Sequence, residues 1–243
     1  VKKEKRVIKM IWNLPFALAL LGSILVGYLL GGINWAIILT RIYQRKDIRD
    51  QGSGNAGMTN VLRSVGKLPA LLTFVGDFLK NVAAVLLSQL ITNSVLLALM
   101  NTSPTGEQLQ VARYLAGAAC VVGHIFPVYY GFRGGKGIVA AAAMIALADW
   151  RVFLLVIATF GALFLWKKII SLASVACAAL YPAYTFLVVF FLNYAKGFCS
   201  LGQLIFVTGT AAFIGGLVLF MHRANIGRLL RGEEKPIIKA KKS

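Results

Sequence analysis

Three stretches of this sequence gather side chains able to handle a charged ligand: "GSGNAGMTNVLR" at 52–63, "GFRGGKG" at 131–137 and "HRANIGRLLRGEEK" at 222–235. In the first, glycines allow a tight turn that exposes backbone N–H groups. Ser53, Asn55, Thr59 and Asn60 add neutral hydrogen-bonding groups and Arg63 a two-pronged guanidinium. That is the chemistry of an anion cradle. In the second, Gly134, Gly135 and Gly137 flank Lys136 at the mouth of an apolar segment, where a helix N-terminus and an ammonium act on an anion together. In the third, His222 and Asn225 stand three residues apart and share a face if the last apolar run continues as helix.

Other chemistries fit these residues poorly. Gly52, Gly54 and Gly57 match G-x-G-x-x-G, with Asp77 beyond, but a dinucleotide site needs a strand before the glycines and a helix after them. The preceding "RIYQRKDIRDQ" is too charged for a buried strand, and Asp77 falls inside the apolar run "LPALLTFVGDFLKNVAAVLLSQLI". Nor is 131–137 a Walker A loop: position 130 is Tyr, and Gly137 follows Lys136 where a hydroxyl would bind magnesium. Three scattered cysteines without C-x-x-C, 2 histidines and 8 acidic residues give no metal site, no cofactor site and no paired carboxylates. An H-x-x-x-x-D dyad is absent too, since His124 is followed five on by Tyr129 and His222 by Gly227. The chain can hold anions but offers no obvious general base.

The elements that position these groups are membrane helices. Of 243 residues, 58% are hydrophobic and 14% charged, with a mean hydropathy of +0.76, too apolar for a soluble domain of this size. A bilayer core is roughly 30 Å thick and takes about 20 helical residues. Apolar runs at 14–39, 68–91, 109–130, 172–192 and 201–221 qualify, and 137–166, broken by "DWR", reads as two compact spans, 137–149 and 150–166. The expectation is an all-α polytopic bundle of about seven transmembrane helices, or five if 137–166 re-enters. It forms a single domain over 1–243, with a basic extension at 1–10 and a basic tail at 236–243. With the N-terminus outside and the C-terminus cytoplasmic, most of the 26 Lys and Arg residues fall on the inner face, although the N-terminal cluster runs against that orientation. All three polar motifs then share the inner face. The +18 charge points to membrane lipids, and not nucleic acid, as its partner. Within the spans, His124 reads as an interhelical hydrogen-bonding residue ahead of a catalytic one. Asp77 and Lys80, three apart, read either as a neutralised pair or as the lining of a cavity.

The three segments, taken as "GSGNAGMTNVLR", "GHIFPVYYGFRGGKG" and "HRANIGRLLRGEE", resemble in order and spacing the motifs of the bacterial acyl-phosphate-dependent glycerol-3-phosphate acyltransferase family. The sequence departs from that pattern at Ala56 and Met58, where the family usually has Pro and Ala, and its 193–200 stretch and basic ends look extended. The resemblance implies transfer of a fatty acyl group from acyl phosphate to the 1-hydroxyl of sn-glycerol 3-phosphate, giving lysophosphatidic acid and phosphate at the cytoplasmic face of a bacterial inner membrane. It implies that Ser53, Arg63 and Lys136 hold the glycerol phosphate, with Asn55, Thr59, Asn60, Gly134, Gly135 and Gly137 shaping the pocket. By the same resemblance His222 and Asn225 orient the acyl phosphate, with Ser174 as a lesser addition, and a soluble enzyme that forms acyl phosphate is a functional partner. The rival classes are a transporter of phosphorylated metabolites and a non-catalytic binder of anionic lipid. Against the first, the polar motifs cluster on one face and the sequence shows no inverted repeat; the second does not call for ordered Ser, Asn, Thr and Gly residues across 52–60.

Overall fold

A backbone in hydrocarbon must satisfy its own N–H and C=O groups, and this chain does so with helices. The computed structural model describes residues 13–234 and 236. The 1–10 extension and all but the first residue of the 236–243 tail lie outside the described residues. No strand occurs among the described residues. The helices are α1 (Leu14–Gly32), α2 (Trp35–Gln44), α3 (Met58–Ser64), α4 (Lys67–Met100), α5 (Gly106–Ile125), α6 (Ile138–Ala148), α7 (Trp150–Lys167), α8 (Ile170–Val189), α9 (Leu201–Met221) and α10 (Arg223–Leu230).

Sequence-local signals set most of the ends. Asn13 caps α1 by accepting from Phe16 N at 2.9 Å, Thr105 and Gln108 close a reciprocal capping box on α5, and Asp149 caps α7. Six segments are long and apolar enough to cross a bilayer: Leu14–Gln44, Lys67–Met100, Gly106–Tyr130, Trp150–Lys167, Ile170–Tyr194 and Leu201–Met221. The protein is therefore built as a multi-pass membrane protein. The segment expected to cross at 137–149 forms α6, whose 11 residues span about 16 Å at ~1.5 Å each, half of a ~30 Å core. Gly137, at φ +81°, delays its start, and Asp149 ends it by capping the next helix. The expected 14–39 span runs on to Gln44 with a break at Ile33 and Asn34, where Asn34 caps α2.

The chain divides into two compact units, one ending at Ala148 and the other starting at Asp149. In the first, α1 packs against α4 and α5, while α6 packs on the same two helices. The α1–α5 contact is backbone to backbone: a Cβ on Gly27 would strike the Ala116 carbonyl, one on Gly31 the Cys120 carbonyl, and one on Gly123 the Tyr28 carbonyl. Without a hydrophobic drive between helices in lipid, such close approach is what van der Waals attraction requires. In the second unit α8 packs between α7 and α9. Pro182 inside α8 leaves the Ala178 carbonyl without its helical donor, and Gly215 of α9 lies against that carbonyl.

The glycine contacts make a testable distinction. Gly31→Val should destabilise the protein by roughly 1–3 kcal/mol, because the new side chain overlaps main chain that cannot turn aside. Gly209→Ala, whose Cβ meets nothing within 4 Å, should leave the thermal midpoint in detergent unchanged.

Candidate active site

The first glycine loop is wound around one side chain. Asn60 Nδ2 donates to the carbonyls of Ile48 (3.1 Å), Gln51 (2.9 Å) and Asn55 (3.1 Å), while its Oδ1 accepts from Ser53 N at 3.0 Å. The chain can pass this close because Gly52 turns at φ +55°, and a Cβ there would collide with Asn60 Oδ1. Beneath the loop lies an apolar cluster of Ala36, Ile37, Ile48, Ala56, Val61 and Ala70. Asn60 is thus buried and fully occupied, whereas Ser53 and Arg63 are exposed and Asn55 and Thr59 half-buried.

The second loop folds back onto the end of α5. Gly134 N donates to Ile125 O at 3.0 Å and Gly135 N to His124 O at 3.1 Å. A Cβ on Gly134 would strike His124 O, and one on Gly135 would strike both His124 Nε2 and Ala56 O. Glycine is therefore required at both positions, and the two loops interlock where Gly135 meets Ala56. Lys136 follows, half-buried, with Gly137 turning the chain into α6.

A guanidinium ties the loops together. Arg49 Nη1 donates to Tyr130 O (2.8 Å) and Arg133 O (3.3 Å), and its Nε and Nη2 grip Asp47 at 3.0 and 2.9 Å. Arg41 also donates to Asp47, at 3.1 Å, with its guanidinium 5.7 Å from the centre of the Tyr130 ring. The Arg49 hydrogen bonds, opposed in part by burial and helped by Arg41, bring the Asp47 pKa down to about 2. Sequence reasoning treated these arginines only as topology signals. A fork-shaped cation two residues after an acid, beside a glycine turn, is the signal that was there to find.

In the second unit the third motif is organised by Glu234. Its Oε1 accepts from Ser171 Oγ and Asn225 Nδ2, both at 2.7 Å, and its Oε2 from Arg228 Nε at 2.5 Å. Burial pushes this carboxyl up, but the hydrogen bonds from Arg228, Ser171 and Asn225 outweigh it and hold the pKa below its ordinary value. His222 sits at the joint between α9 and α10, where its Nδ1 donates to Val218 O at 2.8 Å. That bond fixes the ring and places a proton on Nδ1. His222, Asn225 and Ser174 are all buried. Ser171 and Glu234 were missed from sequence because the pairing spans 63 positions.

Fold and site together define a polytopic helical membrane protein with interlocked glycine loops. A family model described as glycerol-3-phosphate acyltransferase matches residues 21–232. The glycerol-3-phosphate acyltransferase of Clostridioides difficile (strain 630) is 37% identical over 212 residues, covering 87% of this chain and 92% of its own. That of Caulobacter vibrioides (strain NA1000 / CB15N) is 38% identical over 219 residues, covering 90% and 88%. Among solved structures, PlsY (YgiH), an integral membrane glycerol 3-phosphate acyltransferase, superposes in its glycerol 3-phosphate form with a TM-score of 0.68 at 32% identity, covering 89% of this chain and 94% of that one. Its lysophosphatidic acid form gives 0.66 at 31%. The chain belongs to the glycerol-3-phosphate acyltransferase family.

Two outcomes follow from the loop geometry. Asn60→Ala strands buried carbonyls and should cost roughly 2–4 kcal/mol, with faster amide exchange confined first to residues 48–57. Because the folded-state pKa of Asp47 is depressed, its stabilising share is complete above about pH 4 and lost as pH falls towards 2. Asp47→Asn should therefore lower the thermal midpoint at neutral pH, and the gap to the parent should close across that window.

Proposed function

We propose that this enzyme transfers a fatty acyl group from acyl phosphate to the 1-hydroxyl of sn-glycerol 3-phosphate, releasing lysophosphatidic acid and phosphate. The observation that supports this reading is the interlock of Gly135 with Ala56, by which the two glycine loops meet in a chain of this family. Ser53, Arg63 and Lys136 hold the glycerol phosphate, and Gly134, Gly135 and Gly137 let it approach main chain. Asn60 shapes that pocket by holding the loop, with Asn55 and Thr59 at its rim. His222 and Asn225 orient the acyl phosphate, helped by Ser174. The whole chain, 1–243, works as one acyltransferase domain.

The donor is a mixed anhydride and is already activated, so no protein nucleophile is required. The glycerol hydroxyl attacks the acyl carbonyl and the C–O bond to phosphate breaks. An oxygen of the departing phosphate takes the hydroxyl proton, while cationic and N–H donors steady the developing negative charge. The active site faces the cytoplasm of a bacterial inner membrane, with seven membrane segments, the half-length α6 included, and the N-terminus outside. A soluble acyl-phosphate-forming enzyme supplies the donor.

Purified protein in lipid should release phosphate and lysophosphatidic acid together from acyl phosphate and glycerol 3-phosphate, and neither product with acyl-CoA as donor. Lys136→Ala should reduce the rate at least about 100-fold, the scale expected for loss of one charge-stabilising donor. The pH–rate profile should respond to the donor's phosphate chemistry. A profile that follows a histidine and collapses only in His222→Gln would instead make His222 the base.

A further inference from the structure

The buried cluster at Asp77, Lys80 and His124 has no part in the chemistry above, and it lies directly beneath the second glycine loop. Lys80 Nζ donates to Gly31 O (2.9 Å), Ile33 O (2.7 Å) and His124 Nδ1 (2.9 Å), with Asp77 Oδ1 at 2.9 Å as its counter-charge. All three side chains are buried, Asp77 at 2%, Lys80 at 5% and His124 at 4% exposure. An ammonium can only donate, so His124 Nδ1 accepts and the ring proton sits on Nε2. That Nε2 edge is the surface against which Gly135 rests, close enough that a Cβ there would collide with it. The His124 carbonyl in turn accepts from Gly135 N at 3.1 Å. His124 thus meets the loop with both ring and main chain, and its ring angle is set by Lys80.

The geometry points to His124, held by Lys80 and Asp77, as a positioning residue that fixes the height and orientation of the 134–137 loop and so sets affinity for glycerol 3-phosphate. The inference rests on the reading that this loop holds the glycerol phosphate. A helix-packing residue would serve stability alone; this one also supports the main chain on which the phosphate is to lie, one residue before Lys136. Tilting the ring moves Gly135, and with it the N–H groups that follow. The cluster's hydrogen bonds run to the end of α1, and the His124 carbonyl carries the second loop.

Steady-state kinetics with both substrates varied, beside calorimetric titration of glycerol 3-phosphate into protein in lipid nanodiscs, tests this. His124→Ala should raise the KM and Kd for glycerol 3-phosphate tenfold or more while the KM for acyl phosphate stays within twofold. His124→Gln, whose amide end reaches the position of Nε2 against Gly135, should recover most of that loss. An unchanged glycerol 3-phosphate KM in folded His124→Ala overturns the proposal, as does a parallel rise in both KM values or a Gln variant no better than Ala. Should His124→Ala not fold, the charge-neutral pair Asp77→Asn with Lys80→Met replaces it under the same criteria. If that also fails to fold, the cluster only holds helices together and the proposal falls. Lys136→Ala separates the two levels of argument. If its Kd for glycerol 3-phosphate is unchanged, the loop is not the glycerol phosphate site; if that Kd rises while His124→Ala binds normally, only the positioning role is lost.

Discussion

An ammonium deep in an apolar helix is expensive unless every proton finds an acceptor and the charge finds its opposite, and Lys80 meets both conditions. Much of the first unit follows from how it does so. Two of its acceptors are Gly31 and Ile33, carbonyls at the C-terminal end of α1 that have no helical donor left and carry the negative end of the helix dipole. The chain can therefore stop being helical at Gly32, inside the apolar Leu14–Gln44 segment, and restart at Asn34 without stranding its backbone. One side chain of α4 thereby joins the end of α1 to the end of α5, from which the second glycine loop continues.

Irregular backbone near a membrane is tolerated only where protein satisfies it. The first unit solves that problem with a single multivalent side chain at the centre of the loop, and the second gathers side chains around another. Asn60 serves three carbonyls and one amide in the first glycine turn, and Glu234 collects a hydroxyl, an amide and a guanidinium in the second unit. Arg49 repeats the device between loops, spending part of its fork on Asp47 and part on the carbonyls of Tyr130 and Arg133. Charge in these positions is structural because it is consumed: the bonds that depress the Asp47 pKa are the ones that hold the turn.

The helical, membrane-embedded architecture and the three motifs were legible because each rests on local signals. Apolar runs, caps such as Asn13 and Asp149, and glycines adjacent to cations are all contiguous in sequence. Long-range pairing was not legible. Nothing near Ser171 announces Glu234, and nothing in "GHIFP" announces that the His124 ring would abut Gly135, since both depend on how the chain folds back. The compact 137–149 segment was legible, by contrast, and nearly coincides with the Ile138–Ala148 helix. Hydropathy continues smoothly across 137–149, yet the backbone at Gly137 is left-handed and Asp149 serves the next helix, so the number of helical residues is set by its ends.

The polar residues in and beside the first motif also divide by exposure. Asn60 and Asp47 lie within the fold with their hydrogen-bonding capacity taken up by neighbours, so they preorganise the loop. Ser53 and Arg63 stand exposed on the same short stretch, held in place by that scaffold. Preorganisation of this kind matters more for acyl transfer from an activated anhydride than for most reactions. In the proposed reaction no bond to a protein nucleophile is made, so the barrier is to be lowered mainly by fixing two phosphate-bearing molecules in place and by aiming donors at charge as it develops. A rigid cradle made of glycine main chain, backed by buried ions that cannot move without leaving a charge unpaired, suits that task better than a mobile set of basic side chains.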